Sequence, residues 1–174
     1  MNKRRAWVLI LLALGTLYYL SSIPGLRVLP VLKQVNYLLT LLDTNMQKLS
    51  LYIAANLPSE LGPAKTFSSD FYHYASENPV IIEFILRKAA HVGVFFLITI
   101  LFFLLLREYI ERPGLTVLGA FALGSLVAAL DEFHQSFVDG RHGTLVDVFI
   151  NLIGVSMAAV LILFSFFLAS KWLE

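Results

Sequence analysis

The chain has 174 residues, of which 58% are hydrophobic and only 14% are charged. A typical soluble domain is about 45–50% apolar and about 25% charged. A soluble fold of this size cannot hide so many apolar side chains, so the composition excludes an ordinary soluble enzyme and a disordered chain. The sequence therefore predicts an integral membrane protein with a single domain, residues 1–174.

The charge balance and the lack of cysteine exclude further classes. The formal net charge is +1, and no basic run is interleaved with aromatic residues, so no nucleic-acid partner is expected. Without cysteine, the chain has no disulfide, thiol nucleophile or cysteinyl metal site. The lipid bilayer is the first partner that the composition predicts.

The first predicted span covers residues 6–23. It follows Lys3, Arg4 and Arg5, a basic start that is also typical of a signal peptide. No small-residue cleavage site follows the apolar run, which continues into Ser-Ser-Ile-Pro. An uncleaved helix is therefore favoured, and a cleaved signal peptide is the alternative.

Three further apolar runs, residues 89–106, 114–130 and 148–169, contain only His91 as an ionisable group. As helices they reach across roughly 30 Å of hydrocarbon with some help from their flanks. Isolated strands cannot satisfy their backbone groups in lipid. The predicted fold is therefore all-α, with four transmembrane helices.

The basic residues predict the orientation. Four crossings place the basic start, Arg107, Arg112 and Lys171 on one side, which the positive-inside rule assigns to the cytoplasm. Both termini are then cytoplasmic in a bacterial cell membrane, and segments 25–88 and 131–147 face outward.

The long segment 25–88 carries its own pattern. Apolar residues step by four and three through residues 28–53, which predicts an extracytoplasmic amphipathic helix on the outer leaflet or over the bundle. A coiled-coil dimer seam is the alternative. Residues 58–78 are rich in Pro, Gly and Ser and predict a loop. Asn78 and Pro79 then predict a helix start that leads into the second span.

A set of polar residues stands out against this apolar background, and the topology brings its members to one edge of the bilayer. Lys88 and His91 are three apart, and Asp131 and Gln135 are four apart, so each pair shares a helix face. Ionisable groups at membrane depth are costly and usually functional. The set, called here the polar cluster, comprises Lys88, His91, Asp131, Glu132, Gln135, Arg141, Asp147 and Asn151.

Several of these residues also have structural interpretations. Lys88 can extend its ammonium group to the headgroups, and His91 can be a hydrogen-bonded core histidine. Asp147 and Asn151 can be an N-cap and an interhelical hydrogen bond.

Three residues beside the polar cluster are expected to have structural roles. Gly154, on the same face as Asn151, is expected to allow close helix contact. His134 and His142 are expected to be loop residues.

Neither a metal nor another cofactor is predicted. His91, Asp131, Glu132 and His134 are ligand types that Zn²⁺ accepts, but no HExxH or similar spacing is present. Ser136 lacks any motif of a serine nucleophile.

At these residues the sequence resembles the VanZ-like family of bacterial membrane proteins. The resemblance lies in Lys88-x-x-His91, Asp131-Glu132-x-x-Gln135, Arg141 with Gly143, and then Asp147, Asn151 and Gly154. The segment Tyr19-x-Ser21-Ser22-x-Pro24 is also similar.

The chain departs from the family pattern at three places. Segment 26–71 is longer than the family pattern, and Thr144 stands where a serine is common. Val138 and Asp139 stand where a proline-containing turn is expected. The family is named for low-level resistance to the glycopeptide teicoplanin, so the resemblance implies a role in the cell envelope. It supplies neither a reaction nor a cofactor.

Three functions are consistent with the sequence, and whether the protein is an enzyme stays open. In the first, the polar cluster binds or modifies a lipid-linked or cell-wall precursor, with Lys88 and Arg141 on its anionic groups, and lowers glycopeptide access. In the second, an intramembrane enzyme acts on a lipid headgroup, with His91, Asp131 and Glu132 as catalytic candidates. In the third, the cluster only holds the helices together.

Overall fold

Four long helices form most of the part of the chain that the structure describes. The computed structural model describes residues 2–26, 79–141 and 143–171, together with the single positions 30, 34, 37, 38 and 48. The helices are α1 (Lys3–Ser22), α2 (Pro79–Leu106), α3 (Pro113–Gln135) and α4 (Leu145–Lys171). All four are long and apolar enough to cross a membrane, which confirms the predicted all-α, multi-pass architecture.

Only isolated positions of the predicted amphipathic helix at residues 28–53 are described. All five of these positions are helical. The rest of that helix, and the predicted loop at residues 58–78, lie outside the described residues.

The chain divides into two compact units, one formed by Met1–Leu26 with Lys88–Glu174 and the other by Arg27–Arg87. The first unit contains α1, α3, α4 and the part of α2 from Lys88 onward.

Local sequence signals explain where the helices begin. Asn2 caps α1, because its side-chain oxygen accepts a hydrogen bond of 3.2 Å from the backbone N–H of Arg4. Helix α2 begins at Pro79, as predicted, although its expected cap, Asn78, lies outside the described residues. Pro113 opens α3, where its missing N–H leaves no helical hydrogen bond unmade.

The end of α3 corrects a sequence prediction. The apolar run of the third span was expected to end near residue 130, with segment 131–147 facing outward, but the helix continues through Gln135. The helix can extend because its polar end is buried and bonded to other helices: Asp131 accepts from Ser21 and Glu132 accepts from Asn151.

Small residues on α3 bring three helices together. Ala120, Gly124 and Ala128 are spaced four apart and all are buried. Ala128 packs against Phe95 of α2 and Val155 of α4. Without side-chain bulk on this stripe, the helices approach closely, which is how helices associate in lipid.

Gly154 lies at a close approach of α4 to α2. A Cβ atom at Gly154 would overlap the carbonyl oxygen of Val92 and lie 3.1 Å from the amide nitrogen of Phe96. The predicted role of Gly154 in close helix contact is therefore confirmed.

A separate set of contacts ties the start of α1 to the connection between α2 and α3. The indole N–H of Trp7 donates a hydrogen bond of 2.9 Å to the hydroxyl of Tyr109. The ammonium group of Lys3 lies 4.7 Å from the centre of the Tyr109 ring. These contacts are at the end of the bundle opposite to Asp131.

Candidate functional site

The first part of the polar cluster joins α2 to α4 at successive turns. The ammonium group of Lys88 donates to the Asp147 carboxylate, and Nδ1 of His91 lies 3.2 Å from Oδ1 of Asn151. Lys88 and His91 therefore share a helix face, as their spacing predicted, and so do Asp147 and Asn151. Since the Lys88 and Asp147 side chains are 19% and 16% exposed, this ion pair lies at the edge of the cluster rather than at its centre.

Asn151 connects this pair of helices to α3. Its side chain is fully buried, and its amide nitrogen donates a hydrogen bond of 2.9 Å to Oε1 of Glu132. The same Glu132 oxygen lies 3.8 Å from Nδ1 of His91. The predicted interhelical hydrogen bond of Asn151 is thus present, and it holds one side chain from each of three helices together.

The two oxygen atoms of the Glu132 carboxyl group differ in their hydrogen bonding. The residue is only 4% exposed, and its Oε2 atom is buried without a hydrogen-bond partner among the described residues. A buried polar group left unsatisfied costs about 1–3 kcal/mol, so such atoms are uncommon outside functional sites. The Glu132 carboxyl group is therefore a candidate ligand-binding group.

Asp131 connects α3 to the end of α1. Ser21 Oγ donates to Oδ1 of Asp131 over 2.6 Å, and Gln135 Nε2 donates to Oδ2 over 2.7 Å. All three residues are buried. The contact between Asp131 and Gln135 follows the predicted i, i+4 spacing. Ser21 was missed as a site residue, and its only signal was the family-like segment around it.

Arg141 lies at the same end of the bundle, and its guanidinium group donates hydrogen bonds to backbone carbonyl groups. Its Nε donates to the carbonyl of Ile23 over 3.1 Å, and a terminal nitrogen donates to the carbonyl of Leu20 over 3.0 Å. These contacts satisfy carbonyl groups at the C-terminal end of α1, where a positive charge is also favoured. Arg141 therefore fixes the position of the helix that carries Ser21.

The connection between α3 and α4 folds back onto α3. A Cβ atom at Gly143 would overlap the carbonyl oxygen of Glu132, so only glycine fits this contact. The next residue, Thr144, accepts a hydrogen bond of 3.2 Å from the backbone N–H of Asp147. Thr144 thus caps α4, and the alternative that Asp147 is the N-cap is wrong, because Asp147 lies within the first turn.

His134 corrects another expectation. It was expected to be a loop residue, but it lies in the last turn of α3. Its Nε2 is 3.0 Å from Ser22 Oγ, and its ring centre is 4.7 Å from that of Tyr18. His142, the other predicted loop histidine, lies outside the described residues.

Two grooves differ in how they relate to the cluster. A groove of about 220 Å³ between α1 and α3 has apolar walls and reaches Asp131 and His134. A larger groove of about 790 Å³ runs along α4 from Phe149 to Phe164, and Ser156 is its only hydroxyl-bearing lining residue. The larger groove has the character of a bilayer-facing surface, and the smaller one leads to the candidate site.

At the centre of the cluster, His91, Asp131 and Glu132 form what is called here the carboxyl–imidazole group. Each of these side chains offers a ligand atom, and these atoms all lie within 4.8 Å of one another. Two carboxyl groups and an imidazole can exchange protons with a bound molecule or hold a cation. These three residues are therefore the candidates for the chemistry of the site, and neighbouring amide and hydroxyl groups are hydrogen-bonded to them.

Comparison with known proteins supports the resemblance seen in the sequence. A search of the curated proteins and a search of the solved structures each found no match. The family model described as VanZ/LLP1 matches residues 6–168, a range that includes all four helices except their outermost residues and extends across segment 26–71. By this match over nearly its whole length, the chain belongs to the VanZ/LLP1 family.

Proposed function

We propose that this protein acts in the bacterial cell envelope, where its polar cluster binds or modifies the headgroup of a lipid-linked or cell-wall component at the outer leaflet. The observation that carries the proposal is the buried carboxyl–imidazole group, which lies at one end of four membrane-length helices with one Glu132 oxygen unpartnered among the described residues. Ionisable groups at membrane depth are retained for function more often than for stability.

The orientation is part of the proposal. Lys3, Arg4 and Arg5 begin α1, and Arg107 and Arg112 lie in the connection between α2 and α3, so these basic residues belong to the end opposite to Asp131. The positive-inside rule assigns that end to the cytoplasm, and the polar cluster then faces outward.

The shape of the site favours an amphiphilic ligand. The groove between α1 and α3 has apolar walls formed by residues such as Leu14, Leu17 and Val127, and it ends at Asp131 and His134. A lipid chain suits the walls, and its headgroup would then lie beside the carboxyl–imidazole group. Binding of a cell-wall precursor in this way would lower the access of a glycopeptide such as teicoplanin.

The test compares Asp131→Asn with Asp139→Asn, a matched change at an exposed loop carboxylate. Both variants and the wild type are expressed at equal membrane levels in a glycopeptide-susceptible Gram-positive host. We expect wild type and Asp139→Asn to lower teicoplanin susceptibility and labelled-glycopeptide binding, and Asp131→Asn to return both to the level of cells without the protein. Equal values for cells with and without the wild type would remove the glycopeptide role.

An intramembrane enzyme acting on a lipid headgroup is the second candidate. It is favoured by Glu132, whose Oε2 atom has no partner among the described residues and whose Oε1 atom lies 3.8 Å from Nδ1 of His91. These two side chains have the chemistry of a general acid and base. Glu132→Gln keeps the size of the side chain but removes its proton-transfer capacity. The variant is expected to abolish function in an enzyme and to retain part of it in a binding protein.

A purely structural cluster predicts a different result. In that case Asp131→Asn and Lys88→Met would lower the amount of protein in the membrane in step with any lost phenotype. Full abundance with lost function would exclude this alternative.

A further inference from the structure

The carboxyl–imidazole group combines ligand types that suit a metal ion. His91 comes from α2, and Asp131 and Glu132 come from α3. Their three ligand atoms lie within 4.8 Å of one another, and a modest contraction of that triangle would bring all three to bonding distance of a single ion. One imidazole nitrogen and two carboxyl oxygens suit a first-row divalent cation better than Mg²⁺ or Ca²⁺, which favour oxygen ligands alone.

A second observation points to the same place. Glu132 is 4% exposed, and its Oε2 atom is buried with no hydrogen-bond partner in the part of the chain that is described. A carboxylate oxygen has only acceptor capacity, so it is satisfied either by a donor or by a cation. A metal ion coordinated through the Oε2 atom of Glu132 would satisfy this atom.

The neighbouring residues make hydrogen bonds to the proposed ligands, as outer-shell residues do in metal sites. Ser21 and Gln135 each donate to one oxygen of Asp131. The amide nitrogen of Asn151 donates to Oε1 of Glu132, and its Oδ1 atom is paired with Nδ1 of His91. Such hydrogen bonds fix the orientation of ligating carboxylates and imidazoles, and each oxygen keeps a lone pair for an ion.

We propose that His91, Asp131 and Glu132 bind one divalent cation of the Zn²⁺ or Mn²⁺ class. The sequence could not predict this site, because its ligands come from two helices that are distant in the chain and follow no local motif. Three protein ligands leave a coordination position open, as in catalytic metal sites. That position would accept an anionic headgroup oxygen, a role that rests on the proposed function.

The test uses the metal alone. The full chain is purified in detergent, stripped with a chelator, and titrated with Zn²⁺ and with Mn²⁺ in equilibrium dialysis followed by elemental analysis. We expect one ion per chain for the wild type and for Asp139→Asn. We expect Glu132→Gln and His91→Gln each to weaken binding by at least about tenfold, since loss of an outer-shell partner alone costs about 10–100-fold.

Circular dichroism and size-exclusion chromatography show whether each variant is folded, and having two ligand variants keeps the test valid if one of them misfolds. Mn²⁺ electron paramagnetic resonance adds a signature that a purely structural role of Glu132 would not change. Absence of saturable binding to the wild type, or equal affinity in the wild type and in a folded ligand variant, would overturn the metal site. Because no lipid or glycopeptide is present, that result would leave the proposed envelope function to its own test.

Discussion

Replacing Gly154 with alanine is expected to lower the free energy of unfolding by about 1–3 kcal/mol, the usual range for overpacking a tight contact. The new Cβ atom would overlap the carbonyl oxygen of Val92. The obstacle is backbone, which cannot turn away as a flexible side chain can, so α4 must move from α2. Denaturation of the purified protein in mixed detergent micelles, followed by circular dichroism, measures the change.

Gly93→Ala is the matched control. Gly93 lies on α2, and a Cβ atom there would have no neighbour within 4 Å. This variant should be as stable as the wild type or slightly more stable, because alanine has a higher helix propensity than glycine by up to about 1 kcal/mol. Equal stability of Gly154→Ala and Gly93→Ala would contradict the close packing of α2 against α4.

Replacing Asn151 with leucine is expected to have the second large effect. The change removes the donor to Glu132 Oε1 and the partner of Nδ1 of His91, both inside the bundle. A buried polar group left unsatisfied costs about 1–3 kcal/mol, so the loss of the donor to the buried Glu132 is expected to lower the free energy of unfolding by about that amount, and the loss at the partly exposed His91 adds less. The measurement is again unfolding in mixed micelles, accompanied by protein abundance in membranes.

Ser156→Leu provides the control on the same helix. Ser156 is exposed and lines the apolar groove along α4, so leucine there should be neutral. If Asn151→Leu were as stable as Ser156→Leu, then Asn151 would not connect α2, α3 and α4 as described.

Helical periodicity explains why much of this architecture was predictable. Apolar runs long enough to cross a bilayer indicated all four spans, because a helix satisfies its own backbone hydrogen bonds in lipid. Within one helix, spacing also showed which side chains share a face, as the hydrogen bond from Gln135 to Asp131 confirms.

Contacts between distant segments were not predictable in the same way. Ser21 and Asp131 are separated by 110 positions, and no spacing rule connects them. Arg141 donates hydrogen bonds to carbonyl groups at the end of α1, and no spacing rule predicted these contacts. Its charge signalled a site, but its partners depend on how α1 packs against the connection between α3 and α4.

Helix boundaries failed for a related reason. The apolar run ends at residue 130 and His134 was expected in a loop, yet Asp131, Glu132 and His134 are all helical. Each has a partner from another helix: Ser21 for Asp131, Asn151 for Glu132 and Ser22 for His134. Tertiary hydrogen bonding makes a polar helix end acceptable, and a single sequence does not show it.

The central claim is that the polar cluster meets envelope components outside the cytoplasm, and single-cysteine labelling tests it most directly. The chain has no native cysteine, so a cysteine at Asp139 or at Glu111 is the only target for a membrane-impermeant thiol reagent. Both positions are exposed, and they lie in connections at opposite ends of the bundle. In intact cells, Asp139→Cys is predicted to be labelled and Glu111→Cys to be protected until the cells are opened; labelling of Glu111→Cys with protection of Asp139→Cys would contradict the account.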